Sequence, residues 1–209
     1  MSKVFVSVGM SLDGFIAGLN GGAKNPLGDG GTQIHKWIYK QKKFQEMLKF
    51  GEAGETGKDN DILSGIINRI GANIMGKKMF VEGEANWPEE APFHSPVYVL
   101  TNQKRKPWER PGGTTFYFVN EDIHAVLEKA KKAARNKDVR ISGGASCIQQ
   151  YLNAGLIDEF SIHLTPIMMG KGVRLFENID LKKFSIEIKE VINSSEVTHL
   201  FYKVNDESR

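Results

Sequence analysis

The sequence contains a single cysteine, Cys147, among its 209 residues. One cysteine excludes an intrachain disulfide framework and a cysteine-based metal cage. Because Cys147 lies within an apolar helical pattern, we interpret it as a small packed residue rather than a reactive thiol. Histidine is also scarce, and the five histidines show no paired ligand spacing, so the sequence predicts no metal site.

Long apolar runs are missing as well. No apolar segment approaches the length of a membrane span, and the N-terminus has the pattern of a strand rather than of a basic, apolar and cleavable leader. From these features we expect a cytoplasmic protein without a membrane partner.

A large charge of either sign is absent. The formal net charge is +3, and the lysines and arginines are scattered rather than gathered in one run, which does not favour a nucleic-acid partner. A chain of this length with 40% hydrophobic content is long enough for one sizeable core. We therefore expect a single domain over residues 1–209.

Strand-like and helix-like patterns alternate along the first three quarters of the chain. Strands are predicted at Val4–Val8, Ala72–Met75, Val97–Leu100, Thr115–Val119 and Val139–Ile141. Helices are predicted from Thr32 as N-cap to Leu48, from Asp59 or Asp61 to a stop at Gly71, in a short stretch after Gly76, over Glu121–Arg135 and over Ser146–Asn153.

The remainder of the chain contains three strand-like segments, Phe160–Met169, Phe184–Val191 and Val197–Val204. Alternating strands and helices imply parallel crossovers, whereas successive strands imply antiparallel additions. The sequence therefore predicts an α/β protein whose sheet is mostly parallel, flanked by helices, with an antiparallel C-terminal edge.

Glycine, in contrast, is concentrated in the segment Gly18–Gly31, which contains six of them. Such a segment is not a regular element, and long loops inside compact domains are often functional.

The segment Arg140–Ser146 joins a β-branched run to a helix through a turn of small residues. A helix N-terminus leaves its first N–H groups unpaired and carries the positive end of the helix dipole. Gly143 and Gly144 would let a phosphate approach these groups closely. The alternative is that the two glycines only make a tight strand-to-helix turn.

Two further strand ends carry groups suited to anions: Gly76-Lys77-Lys78, and Thr101-Asn102 with Lys104 and Arg105 behind. In an open sheet, ligands collect beyond the carboxyl ends of the strands. Three such ends indicate a receptor for an extended polyanion, and a dinucleotide with an additional ribose phosphate fits. In the alternative interpretation, the four cations simply face solvent.

Asp13 follows the first strand and precedes Gly14. Its carboxylate can make a turn by accepting backbone hydrogen bonds. It can instead lie at the mouth of the site, where it holds substrate or assists proton delivery, and we take it as the candidate catalytic residue.

Several motifs together resemble the RibD C-terminal, dihydrofolate-reductase-like proteins. They are Met10-Ser11-Leu12-Asp13-Gly14-Phe15-Ile16-Ala17, Ile74–Phe80, Val99-Leu100-Thr101, Ile141-Ser142-Gly143-Gly144, Leu156–Glu159 and the tail Pro166, Gly170–Gly172, Leu175 and Phe176. They occur in the family's order from residue 3 to about 177. Two positions depart from the family pattern, since Lys77 replaces the usual Arg and Met79 the usual Thr.

The resemblance implies a dihydrofolate-reductase-like three-layer α/β/α fold, a homodimer and NADPH as hydride donor. It places Lys77 and Thr101-Asn102 at the adenosine 2′-phosphate, next to Gly76 and Lys78. The pyrophosphate site comprises Ser142, Gly143, Gly144, Ala145 and Ser146. Gly9, Ile16 and Ala17 would line the nicotinamide.

The resemblance further implies a small-molecule substrate with a reducible C=N bond, as in the 5-amino-6-(5-phosphoribosylamino)uracil reductase of riboflavin biosynthesis. A dihydrofolate or pterin reductase is one alternative, although region 32–50 offers only Glu46 as an acidic residue to meet a pterin. A non-catalytic nucleotide-binding protein on the same fold is the second alternative, and a flavin- or folate-binding module the third.

Overall fold

The computed structural model describes residues 2–51 and 53–206. In this part of the chain, nine strands form one sheet: β1 Val4–Ser11, β3 Ile70–Gly76, β4 Pro96–Leu100, β5 Trp108–Arg110, β6 Thr114–Val119, β7 Asp138–Gly143, β8 Glu159–Thr165, β10 Phe184–Asn193 and β11 Thr198–Asp206. Two short strands, β2 Phe15–Ala17 and β9 Val173–Arg174, pair separately. The helices are α1 Lys36–Lys40, α2 Lys42–Leu48, α3 Lys58–Arg69, α4 Lys77–Glu84, α5 Ile123–Ala134 and α6 Ala145–Asn153.

The strand order is β10-β11-β8-β1-β7-β3-β4-β6-β5. The central strands from β8 to β6 are parallel, and β11 and β10 are added antiparallel at one edge. The prediction of a mostly parallel sheet with antiparallel C-terminal strands is thus confirmed. The antiparallel strand β5 at the opposite edge was not predicted, because three residues between two prolines show no period.

Helices cover both faces of the sheet. Val4 and Val6 of β1 pack in the same cluster as buried residues of α5 and α6. Side chains alternate between the faces of a strand, and Phe5 lies on the other face, beneath the guanidinium of Arg69 at the end of α3. Helix α4 covers a second cluster, which is aromatic and centred on Phe80 and Phe116. These contacts confirm the expected three layers.

The helix predicted from Thr32 to Leu48 is broken into a 3₁₀ turn, Gly31–His35, followed by α1 and α2. Thr32 is therefore not an N-cap, since it lies within the 3₁₀ turn. The break between the helices falls at Gln41, whose backbone is extended and pairs with Glu55 in an isolated bridge. The carbonyl of Lys40 accepts a hydrogen bond from the Glu55 amide. This long-range bond replaces the one that the Lys40 carbonyl would accept from residue 44 in a continuous helix.

The predicted ends of the next helix also differ from the structure. Helix α3 begins after Gly57, so Asp59 and Asp61 lie in its first turn instead of capping it. It ends at Arg69, and Gly71 lies inside β3. A Cβ at Gly71 would stand 2.6 Å from the carbonyl oxygen of Ala134, so this glycine serves a close approach to the end of α5 rather than a helix stop.

Smaller differences concern element ends. The first strand runs on to Ser11, helix α5 starts at Ile123 with Asp122 as its N-cap, and β8 ends at Thr165 rather than Met169. No helix within residues 2–51 and 53–206 is long and apolar enough to cross a membrane.

Candidate functional site

The three predicted strand ends lie side by side, at the carboxyl ends of the neighbouring strands β7, β3 and β4. Gly143 at the end of β7 pairs with Met75, and Gly76 at the end of β3 pairs with Leu100, directly before Thr101. Neighbouring strands are about 4.8 Å apart. A Cβ placed on Gly76 would stand 3.8 Å from the amide nitrogen of Gly144, so these two turns are in direct contact.

The N-terminus of α6 is open. Gly144 is the N-cap residue, and no side chain caps the helix there. The first helical hydrogen bond runs from the Ile148 amide to the Gly144 carbonyl. The amides before Ile148 therefore have no acceptor within the helix. A Cβ on Gly144 would meet no atom within 4 Å, so the space above this turn is free of protein. Such an end suits an anionic group.

A cavity of about 500 Å³ adjoins this turn and extends over the sheet face that α1–α3 cover. Eight of the predicted site residues line it, namely Gly9, Ile16, Ala17, Lys78, Ser142, Gly143, Gly144 and Ala145. Six others do not belong to its lining: Asp13, Gly76, Lys77, Thr101, Asn102 and Ser146. The predicted nicotinamide residues and, except for Ser146, the predicted pyrophosphate residues therefore lie around one space.

The serine hydroxyls at this turn already have protein partners. Ser142 is buried, and its hydroxyl donates to Oδ1 of Asn73 at 2.9 Å. Asn73 in turn donates from Nδ2 to the Ser95 hydroxyl at 3.0 Å. The Ser146 hydroxyl accepts from Nε2 of Gln150. The hydroxyl proton of Ser142 is thus used within the protein, whereas the Ser146 hydroxyl only accepts in this bond, so its O–H remains a donor beside the backbone amides.

The region around Thr101 and Asn102 forms a separate, shallow basic depression. Lys104, Arg105 and Lys106 line it together with Phe118. The guanidinium of Arg105 pairs with Glu84 at 2.6 Å and lies 4.6 Å from the ring centre of Phe118. Asn102 is exposed. The depression adjoins the strand end without being continuous with the cavity lining.

Asp13 is held by three donors. Its carboxylate accepts from the Ser11 hydroxyl at 2.7 Å and from the amides of Met169 and Gly170. The Ser11 bond, helped by these amides, lowers the pKa of Asp13 to about 2. The residue therefore ties the turn after β1 to the loop after β8 and stays ionised at neutral pH.

Sequence reasoning missed a polar group of residues on the cavity floor. Arg140 on β7 donates from Nη2 to the Ser7 carbonyl at 3.0 Å, whereas its Nε is buried and has no partner. Burial lowers the pKa of Arg140 to about 10. The available signal was an arginine between Val139 and Ile141 in a central strand, a position where charge is rare.

A chain of hydrogen bonds runs from this floor towards α3. The Ser7 hydroxyl is 2.8 Å from Nε2 of His163, whose Nδ1 is 2.8 Å from Nδ1 of His199. Nε2 of His199 is 3.0 Å from Oδ1 of Asp59. Trp37 packs against both imidazoles, with ring centres 5.2 and 5.1 Å away.

Burial keeps two imidazoles of this region neutral. It lowers the pKa of His163 well below the usual value, and electrostatic interactions with His199, Arg140 and His35 act in the same direction. It lowers the pKa of His35 to about 4, and the charge of Arg140 acts in the same direction.

Comparison with known protein families and sequences gives a match over nearly the whole chain. The family model described as RibD C-terminal domain matches residues 2–200. The uncharacterized protein YyaP of Bacillus subtilis (strain 168) is 30% identical over 148 residues, which are 66% of this chain and 77% of YyaP. The resemblance that the sequence motifs indicated is thereby confirmed.

Two solved structures share the fold. A putative riboflavin biosynthesis protein from Shewanella sp. PV-4 is 22% identical, with a TM-score of 0.62 and coverage of 98% of this chain and 99% of that one. Dihydrofolate reductase from Enterococcus faecalis, complexed with NADP(H) and RAB-propyl, is 14% identical, with a TM-score of 0.51 and coverage of 98% and 97%. The second structure confirms the dihydrofolate-reductase-like fold class.

Proposed function

Because the chain belongs to the RibD C-terminal domain family, we propose that it is an NADPH-dependent reductase. Its substrate is a pterin-like or phosphoribosyl-pyrimidine molecule that accepts hydride at a C=N or Schiff-base carbon. The observation that carries the proposal is the open amide turn at Gly144, which adjoins a cavity of about 500 Å³. A structural relative with NADP(H) bound supports the choice of coenzyme.

The residues present fit a dinucleotide. The amides of Gly144, Ala145 and Ser146 precede the first hydrogen bond of α6, and a Cβ on Gly144 would meet no atom within 4 Å, so a pyrophosphate would have both donors and space at this turn. Lys77, Thr101 and Asn102 would hold the adenosine 2′-phosphate beside the basic depression at Lys104–Lys106. Gly9, Ile16 and Ala17 would form the wall beside the nicotinamide. When bound, NADPH supplies the hydride.

The protein's own contribution is then positioning and exclusion of water. The cavity places the acceptor between the nicotinamide wall and the apolar side chains of α1–α3. We assign Asp13 a positioning role, since a carboxylate with a pKa of about 2 does not donate a proton at neutral pH. In this proposal the proton comes from water.

Titration with NADPH, NADH and ADP, followed by fluorescence or calorimetry, tests the coenzyme. We expect NADPH to bind more tightly than NADH, because only NADPH carries the 2′-phosphate. Absence of NADPH binding at about 1 mM would exclude the proposed function. A preference for NADH would remove the assigned role of Lys77, Thr101 and Asn102.

A non-catalytic nucleotide-binding protein is the second candidate function. It is favoured by the scarcity of acidic side chains that could act in catalysis. Among the described residues, the only acidic one in the cavity lining is Glu82, which lies 3.7 Å from the Lys78 ammonium. Turnover distinguishes the two. NADPH consumption with dihydrofolate, dihydrobiopterin or the riboflavin precursor supports the reductase, whereas binding without consumption supports the second candidate.

The proposal includes a homodimer, as the family resemblance implies, in the cytoplasm. Light scattering coupled to size-exclusion chromatography measures the mass of the assembly against the 23.3 kDa of one chain.

A further inference from the structure

Arg140 lines the cavity and has a hydrogen-bond donor that the protein leaves unpaired. The guanidinium carries five N–H donors in a rigid fork. One nitrogen, Nη2, donates to the Ser7 carbonyl, whereas Nε is buried and unpaired. A buried donor without a partner costs free energy, and a charged one costs more.

No carboxylate of the described residues neutralises Arg140. Two other partly buried arginines are paired: Arg69 contacts Asp138 at 2.6 Å and Glu159 at 2.8 Å, and Arg105 contacts Glu84. Arg140 forms no such pair, and burial is the one influence on its pKa. Because His35 and His163 are neutral, the guanidinium is the uncompensated charge at this part of the wall.

The wall opposite Arg140 is apolar. Helices α1–α3 and the loop before β4 contribute Ile38, Phe44, Leu63, Ile66 and Phe93 to the cavity lining. A volume of about 500 Å³ lies in the usual range of small-molecule sites. An occupant that matches this space has an apolar body and one negatively charged end.

We propose that Arg140 is the centre of an oxyanion subsite that binds a carboxylate or phosphate group of the molecule occupying the cavity. The guanidinium fork matches two oxygens of such a group, and the ligand supplies the charge that the protein lacks. That this ligand is the hydride acceptor rests on the proposed function. The binding of an oxyanion by Arg140 does not.

Three probes with the same naphthalene ring test the subsite: 2-naphthoate, 2-naphthyl phosphate and the neutral 2-naphthamide, which has nearly the shape of the carboxylate. Dissociation constants are measured by fluorescence titration, with and without NADPH. We expect at least one of the two anions to bind about tenfold more tightly than the amide. The tighter anion identifies the group as carboxylate or phosphate.

The variant R140M removes the charge and nearly keeps the volume, and K132M is its control. Lys132 is exposed on α5, which contributes no residue to the cavity lining. In R140M we expect the preference for anions to disappear, while the affinity for 2-naphthamide changes by less than about twofold. K132M keeps the wild-type preference.

The inference is overturned if the wild-type protein binds the amide as tightly as both anions, or if R140M keeps the preference. The wild-type comparison decides the question even if R140M does not fold. If NADPH fails to bind while the anion preference still depends on Arg140, the proposed function fails and the oxyanion subsite remains.

Discussion

At Gly144, the absence of a side chain keeps the first turn of α6 accessible. We expect G144V to weaken NADPH binding by about tenfold or more, because the branched side chain would occupy the free space above the amides. A Cβ at this position would meet no protein atom within 4 Å, so the fold is expected to persist. Calorimetric titration measures the change.

Gly65 provides the matched control, since a Cβ there also meets nothing within 4 Å and the residue is exposed on α3. G65V should bind NADPH as the wild-type protein does. Normal binding by a folded G144V would move the coenzyme to another surface.

Asp13 allows a second test at the scale of one residue. D13N keeps the shape of the side chain but replaces one carboxylate oxygen by an NH₂ group. This donor would face donors, since the amides of Met169 and Gly170 both donate to Asp13. We expect a lower unfolding midpoint and at most about a threefold loss of kcat. A loss of turnover with an unchanged midpoint would instead make Asp13 a catalytic residue.

The predictability of single residues from sequence follows from how local their interactions are. Gly143 and Gly144 were recognised as a turn because glycine between a strand and a helix is a local signal. Arg140 and the chain from Ser7 to Asp59 depend on strands distant in sequence. The register that brings Phe5 beside Arg140 cannot be read from either segment alone.

At the scale of elements, the break at Gln41 shows how one long-range bridge overrides helical periodicity. The buried side chain of Gln41 donates from Nε2 to the Trp37 carbonyl at 2.8 Å and closes α1. We expect Q41A to lower the free energy of unfolding by about 2 kcal/mol, because it leaves a buried carbonyl unpaired. Urea denaturation measures the loss.

The control for this element is Q45A. Gln45 makes a similar bond to the Tyr39 carbonyl, but at the surface. Its loss should cost less than about 0.5 kcal/mol. Equal costs for Q41A and Q45A would contradict a capping role for Gln41.

At the scale of the whole molecule, buried neutral histidines couple folding to pH. The folded-state pKa values of His35 and His163 lie below the ordinary 6.5, so between pH 6.5 and 4 the unfolded chain binds more protons. Stability is therefore complete above pH 6.5 and falls as the pH drops through this window. We expect the unfolding midpoint at pH 5 to be about 5 °C below that at pH 7.5.

The two carboxylates with clearly lowered pKa values, Glu159 and Asp13, act mainly at lower pH, because their stabilisation is lost as the pH falls below the ordinary values of 4.5 and 3.8. Burial alone would raise the pKa of Glu159, but hydrogen bonds from Lys3, Lys189 and Arg69 bring it to about 2. H35Q should therefore reduce the loss of stability at pH 5, whereas H124Q, at an exposed position on α5, should not. Equal pH profiles for wild type and H35Q would refute this coupling.

The overall architecture is predictable because the alternation of strands and helices along the chain implies a parallel sheet with helices on its faces. Alternation does not specify the order of strands in the sheet, the edge strand β5 or the cavity between α1–α3 and the sheet. These features arise from packing between distant segments, such as Trp37 against His163 and His199.

The chain that ends at Asp59 also bears on how Ser7 meets a ligand. A neutral His163 carries a single ring proton. In the tautomer with that proton on Nδ1, His163 donates to His199 and accepts the Ser7 hydroxyl proton at Nε2, so the Ser7 oxygen offers only lone pairs to a ligand in the cavity. A compound that donates an N–H or O–H to this oxygen and places an oxyanion at Arg140 then matches both groups, which gives inhibitor chemistry a two-point pattern.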